Sequence, residues 1–413
     1  DPQFPDWQRL VEVFRKPSLQ MISFTITEKG YTFNEADLAR GLKPVFAMGK
    51  VCALLYERWQ AGQLPLTVQS MDNCSHNGDK VKAGVMAYAE RWVSDGLVPQ
   101  AFLDYLKDET KVTFPWSMID KITPRPHEKV KELLAEDGFE DNNYIETEKH
   151  TFTAPFVNAE EVQYLVIEDH YTNGRPPLDL GGALYTTRET VDKVETMKVT
   201  TCLNPLHTAL AVYGCLLGYT LIADEMQDAD LAALVRAIAA EGMPVVTNPG
   251  IIDPAAFAKQ VLEERLPNRC MPDAPQRIAT DTSQKVGIRY GETIKSYVAR
   301  DGSAAALKAV PLAIAGWLRY LLAVDDNGTP FELSADPLLE PLRAALRGVE
   351  LGKPESARGK LAPILSNASI FGSDLYAAAL GTQIEALFAE LIAGKGAVRA
   401  TLHAHVAALQ ALV

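Results

Sequence analysis

The hydrophobic pattern of this chain changes period once, and that change limits the folds open to it. In Leu19-Gln-Met-Ile-Ser-Phe-Thr-Ile-Thr27, in Leu66-Thr-Val-Gln-Ser-Met71 and in Val112-Thr-Phe114, β-branched and aromatic residues dominate and tend to alternate, as in strands. Helical spacing fills residues 46 to 61, which end at Gly62, and residues 79 to 95. Strand, helix and strand in succession predict βαβ units and a parallel sheet with right-handed crossovers over the first 125 residues. A loop and a short amphipathic helix are expected before it, from Asp1 to Pro17. Beyond about residue 190, Ala and Leu recur at helical spacing: Thr208 to Ile222, Asp228 to Ala240, Pro254 to Glu264, Ala304 to Leu322, Pro337 to Leu346, and Gly381 to Leu412 with breaks. That second texture predicts a mostly helical domain. The Pro/Gly-bearing stretch Asn173 to Gly182 is taken as the junction, giving domains at 1–175 and 176–413.

A chain of 413 residues exceeds one ordinary domain, and 47% hydrophobic with 23% charged residues fits a globular protein. No charge-free stretch of bilayer-spanning length and no secretory leader is visible, so a cytoplasmic location is expected. A net charge of −13 argues against nucleic acid or anionic membrane as partner. The expected partner is a small molecule, the expected state a monomer or small homo-oligomer. Five cysteines, without a Cys-x-x-Cys pair, read as reduced structural thiols. His403 with His405, and Cys74 with His76, are each two apart, so no metal site is expected.

A doubly wound nucleotide domain opens with a strand, a glycine-rich turn and, some twenty residues on, a ribose-binding acid. None of these is present. Gly181-Gly182 follows no strand, and Gly214-Cys-Leu-Leu-Gly218 lies in an apolar helical run, where close helix packing explains it better. The chain is therefore expected to enter an α/β domain partway through: a Rossmann-like sheet lacking its first strands, then a helical domain.

The densest chemistry lies in Lys198-Val-Thr-Thr-Cys-Leu-Asn204-Pro-Leu-His207, which puts a base, an amide and an imidazole just before an apolar helix. Asn204 and His207 are three apart and can share a helix face. Asn204 before Pro205 is also an ordinary helix N-cap, and capping does not exclude catalysis.

These residues resemble the mannitol dehydrogenase and fructuronate reductase family of long-chain polyol and sugar-acid dehydrogenases, which carries a Lys, Asn, His signature at its domain junction. Met118-Ile-Asp120-Lys-Ile-Thr-Pro124 is similar to the family's strand end, and Asp72-Asn73-Cys-Ser-His-Asn77-Gly78 to its Asp-Asn-x-x-x-Asn-Gly turn. Ser23-Phe-Thr25-Ile-Thr-Glu-Lys-Gly-Tyr31 and Asp281-Thr-Ser-Gln-Lys285 fit as well. The resemblance implies NAD as cofactor, with Thr25, Asn73 and Asn77 on its side of the site. It implies Lys198 as acid/base without a metal, Asn204 and Asn77 polarising the carbonyl oxygen, and His207 binding substrate. Asp120 would fix Lys198 or a hydroxyl, Glu195 could pass protons to solvent, and Arg277 and Lys285 would bind substrate. Without the resemblance, Arg277, Asp281 and Lys285 read as a surface charge ladder.

Two departures matter. The family has a preceding segment with the glycine-rich turn, so either that segment is missing here or this version cannot hold NAD normally. The family also has four residues between Lys and Asn, where this chain has five. On a regular helix six steps turn Lys198 about 120° from Asn204 and nearly opposite His207, so a π-bulge or a break is expected there.

Oxidising a carbinol needs a hydride acceptor, a proton acceptor and donors to the alkoxide-like oxygen. A lysine serves near neutral pH if desolvation or neighbouring cations lower its pKa. The expected reaction is D-mannonate with NAD to D-fructuronate with NADH, because Arg277, Lys285, and Arg125 or Arg289 could neutralise a carboxylate. Mannitol 2-dehydrogenase and tagaturonate reductase activities are the alternatives. From other classes, a non-catalytic sugar-acid-binding remnant and a helical scaffold remain open.

Overall fold

The three expected strands form one parallel sheet in the order β1-β2-β3, with β1 at Met21–Phe24, β2 at Leu66–Ser70 and β3 at Val112–Thr113. The computed structural model describes residues 5–148, 151–271 and 273–413; the opening residues read as a loop, 1–4, lie outside them. Helix α1 (Pro5–Phe14) precedes the sheet, α2 (Ala47–Gln60) and α3 (Asn77–Ser94) make the crossovers, and α4 (Gln100–Lys107) leads into β3. Burial of all five residues of β2 marks it as the central strand. Arg58 at the end of α2 is fully buried, and its guanidinium donates to the carbonyls of Phe14, Lys16, Leu19, Leu64 and Pro65. One side chain thereby pins the approaches to β1 and β2.

A second sheet was not foreseen as such. Strand β4 (Ser117–Asp120) pairs antiparallel with β7 (Tyr164–Glu168), which pairs parallel with β8 (Leu184–Thr186). These strands group with residues 1–121 as one unit, Asp1–Lys121 with Val162–Glu195. The second unit is Ile122–Glu161 with Thr196–Val413. The division is discontinuous rather than a single cut at 175, because β7 and β8 complete the sheet that β4 begins. The excursion, with α5 (Glu128–Glu136) and the hairpin β5–β6 (Ile145–Glu146, Phe152–Thr153), belongs to the helical unit. Its anchor is Glu160, whose carboxylate takes the Ile122 N–H at 2.7 Å and two guanidinium bonds from Arg265 at 2.8 and 3.0 Å, both side chains almost wholly buried.

The remainder is helical, as the Ala/Leu texture implies, and no named strand follows β8 among the described residues. Helix α6 (Arg188–Met197) runs up to α7 (Asn204–Leu217), followed by α8 (Ile222–Glu225), α9 (Ala229–Gly242), α10 (Pro254–Gln260), α11 (Pro275–Ile278), α12 (Glu292–Asp301) and α13 (Ala309–Tyr320). Then come α14 (Leu339–Ala345), the single turns α15 (Ala362–Leu365) and α16 (Ala368–Phe371), α17 (Gly381–Leu391) and α18 (Ala397–Gln410). Helix α7 is the core of this unit and packs against α9, α11 and α13. The close packing expected at Gly214 is present: a Cβ there would come within 2.1 Å of the Glu225 carboxyl and 2.9 Å of Pro275. Among the described residues, no helix is long and apolar enough to cross a membrane.

Candidate active site

Between α6 and α7 the chain makes one π-helical turn, Lys198–Cys202, closed by the Leu203 N–H on the Lys198 carbonyl at 3.1 Å. Leu203 then leaves helical geometry, with φ −128° and ψ −61°, and α7 starts afresh. The extra residue foreseen from the spacing is thus absorbed in a widened turn followed by a break. The path from Lys198 to His207 is therefore not one regular helix, and the nine uniform steps that would set the two opposite do not apply. The turn is held from behind: a Cβ on Gly242 of α9 would lie 2.6 Å from the Thr201 methyl. Lys198 itself is 4% exposed.

From Asn204 to Leu216 every residue of α7 is buried except Asn204 and His207, so these two mark the helix's one open edge. The Asn204 side chain does not cap the helix, and its Oδ1 is buried without a hydrogen-bond partner. An orphaned buried amide oxygen costs about 1–3 kcal/mol, and a substrate hydroxyl would remove that cost. His207 places Nε2 2.9 Å from Asp273 Oδ2, and Oδ1 of the same carboxylate accepts from Arg277 Nε at 3.1 Å. Burial alone would raise the Asp273 pKa, but the bond to His207 and the charges of His207 and Arg277 prevail, and it lies below the usual carboxylate range. Asp273 therefore holds both an imidazole and a guanidinium, a role missed in the sequence. Its only signal was an acid four residues before Arg277. Replacing Asp273 by Asn should lower kcat/KM about 10- to 100-fold, since it removes one charge-assisted bond to each partner. Steady-state kinetics of Asp273→Asn and His207→Ala, alone and combined, should show strong non-additivity.

The charge ladder through Asp281 does not form. Helix α11 ends at Ile278 and Asp281 has φ +55°, so residues 277 to 285 share no helix face. Lys285 instead gives its ammonium to the carbonyls of Ile278 and Thr280. Burial, with the Arg289 charge next, lowers its pKa. Arg125 sits over the Phe152 ring at 5.2 Å.

Glu225 is fully buried, and neither carboxyl oxygen has a partner. Burial, then the charges of Asp228 and Asp273, push its pKa up to about 10, so it is a neutral acid in a region where Asp273 stays ionised. A folded value above the unfolded one means a contribution present in full below pH 4.5 and lost as pH rises towards about 10. Wild-type stability should therefore fall across that window, and Glu225→Gln should flatten the fall, being more stable at pH 9 by about 2 kcal/mol in thermal or urea unfolding.

Other residues singled out in the sequence lie in the first unit. Thr25 and Asn73 are exposed just past the carboxyl ends of β1 and β2, where open α/β sheets take ligands. Asp72 fastens these two ends together by accepting the N–H groups of Ile26 and Thr27 at 2.8 and 3.0 Å. A cavity of about 500 Å³, lined by Met71, Ile119, Tyr164 and Leu178 among others, opens beside them. Asp120 is buried as the last residue of β4. Asn77 corrects an expectation. It is fully buried, its Nδ2 donating to Asp72 O and to Ser117 O and Oγ, its Oδ1 accepting from Ser117 N. That amide ties α3 to β4, and its Nδ2 donors are already engaged within the protein rather than aimed at a substrate carbonyl. His76 stacks on Trp116 and pairs with Asp192 at 2.9 Å. Glu195 is half-buried in the last turn of α6.

Residues 3–180 match the Mannitol dehydrogenase Rossmann domain and residues 190–392 the Mannitol dehydrogenase C-terminal domain. A D-mannonate oxidoreductase of Thermotoga maritima is 53% identical over 97% of this chain and 77% of its own length. The chain belongs to the mannitol dehydrogenase family. More distant members include a D-mannonate oxidoreductase of Escherichia coli, 29% identical over 91% of this chain and 73% of that protein. A mannitol dehydrogenase of Saccharomyces cerevisiae is 31% identical over 82% and 66%. The solved Pseudomonas fluorescens mannitol 2-dehydrogenase, in ternary complex with NAD and D-mannitol, superposes with a TM-score of 0.67 at 26% identity, covering 97% of this chain and 77% of that one. A D-sorbitol dehydrogenase at 24% identity and TM-score 0.75 shares the fold. For this mannitol dehydrogenase family member, a Rossmann-type unit followed by a helical one is thus the architecture of its relatives too.

Proposed function

We propose that this chain transfers a hydride between NAD and one carbinol carbon of a linear sugar acid, with D-mannonate and D-fructuronate as the pair. The observation that carries the reading is the open edge of α7: an unpartnered Asn204 amide oxygen and a His207 clamped by Asp273, preceded by Lys198 on its π turn. The 53% identity to a protein named D-mannonate oxidoreductase supports the choice of substrate. So do Lys285 and Arg289, cations without an ion pair to any carboxylate among the described residues.

Residues of the first unit fit the nicotinamide cofactor. Thr25 and Asn73 flank the ends of adjacent parallel strands, and the cavity beside Met71 is largely apolar, as a flat heteroaromatic ring requires. NAD, when bound, accepts the hydride. Lys198 takes the hydroxyl proton as the carbinol is oxidised and returns it on reduction. The Asn204 amide orients the reacting oxygen without titrating, and its Oδ1 takes a substrate hydroxyl. His207, with Nε2 committed to Asp273, presents Nδ1 to a neighbouring hydroxyl. Arg277 and Lys285 bind the polar tail. We place the protein in the cytoplasm, consistent with its five free thiols.

The test is NADH oxidation with D-fructuronate, D-tagaturonate and D-fructose as acceptors. The highest kcat/KM on fructuronate is expected. A preference for fructose would move the substrate to the neutral polyols.

A further inference from the structure

The three buried arginines among the described residues, Arg58, Arg265 and Arg319, each reach two or more acceptors, whereas the partly exposed Arg289 reaches one. Arg58 reaches five main-chain carbonyls, Arg319 reaches those of Leu391, Val324 and Asp325, and Arg265 is bidentate on Glu160. Arg289 donates to one hydroxyl, Thr208 Oγ1, and pairs with no carboxylate among the described residues. A guanidinium has five N–H donors, and withdrawing it from water without an anion is costly. Burial lowers its pKa to about 10, against an ordinary 12.5.

Its position is as informative as its single acceptor. Arg289 sits on another π turn, Gly287–Gly291, which packs against the Lys198–Cys202 turn. A Cβ on Gly291 would come within 1.9 Å of the Phe371 carbonyl, so glycine is needed for this turn to seat against α16. From that turn Tyr290 donates to the Pro205 carbonyl at 3.0 Å, and Arg289 reaches Thr208. Thr208 is four residues after Asn204 and hydrogen-bonds its carbonyl at 2.9 Å, so both lie on the face of α7 that carries His207. Lys285, one turn before Arg289, is near enough for the two charges to depress its pKa. An under-satisfied guanidinium, a second cation and an orphaned amide oxygen thus border one stretch of helix.

We infer that Arg289 binds the carboxylate of the substrate and so sets the preference for sugar acids over neutral polyols. The inference rests on the sugar-acid reading above and names the residue that would enforce it. A carboxylate accepts two parallel bonds from a guanidinium fork, which a polyol hydroxyl cannot do.

Isothermal titration of D-mannonate and D-mannitol into the NADH-loaded wild type, Arg289→Gln and Arg289→Lys tests it. For Arg289→Gln the ratio of mannonate to mannitol affinity should fall about 30-fold or more, as loss of a charge-assisted bidentate pair implies. Arg289→Lys, which keeps the charge and loses the fork, should fall between. Mannonate affinity unchanged in both variants, or equal losses for the two ligands, overturns the role of Arg289 while leaving the substrate intact. A wild type that binds mannitol but not mannonate overturns the sugar-acid reading, and this inference with it. If Arg289→Gln does not fold, the Lys variant decides alone by the same ratio.

Discussion

Lys198→Ala lowers kcat for fructuronate reduction about a hundred- to ten-thousand-fold, the range for loss of a positioned general acid or base. KM should change little, because the proton moves in the transition state and the substrate is held by other groups. The π turn makes this a sharp test. Lys198 is buried at a turn that packs against α9 and the Gly287–Gly291 turn, so truncation leaves the surrounding backbone braced. Turnover within about threefold of wild type, less than the lost general base should cost, would remove Lys198 from the chemistry.

Arg265→Met is expected to destabilise the helical unit by about 3–5 kcal/mol, the cost of leaving a buried charge without its partner. Glu160 is almost wholly buried, and it also accepts the Ile122 N–H. Adding Glu160→Gln should restore more than half of the loss, because the amide oxygen can keep the Ile122 bond while the stranded charge disappears. Thermal unfolding measures both effects. Limited proteolysis should show the segment 122–161 cut first in Arg265→Met, since Glu160 is what fastens its end. Equal stability of wild type and Arg265→Met would show the pair to be ornamental.

Much of this was legible beforehand, for identifiable reasons. Strands β1 to β3 announced themselves through local pattern, and the helical unit through period. The correction between Lys198 and Asn204 followed from arithmetic, since six ordinary steps put the lysine on the wrong side. What escaped were properties that arise only from packing. The second sheet mixes short strands from distant parts of the chain, and β5 and β6 are two residues each, too short to carry a period. Asn77 looked like a donor waiting for a ligand, yet its acceptors are the Asp72 carbonyl and Ser117, forty residues on. The supposed ladder from Arg277 to Lys285 assumed a helix that Asp281 ends. Asp273 gained its importance only once His207 folded against it.

The widened turn at Lys198 also bears on how such enzymes vary. Because the π turn takes up one surplus residue and the break at Leu203 lets α7 start on its own phase, the stretch between the two helices can grow by a single letter without turning either. Separation along the chain is then a poor ruler for catalytic groups. A search demanding a fixed number of intervening residues would pass over this protein, whereas one that compares directions around the axis would retain it.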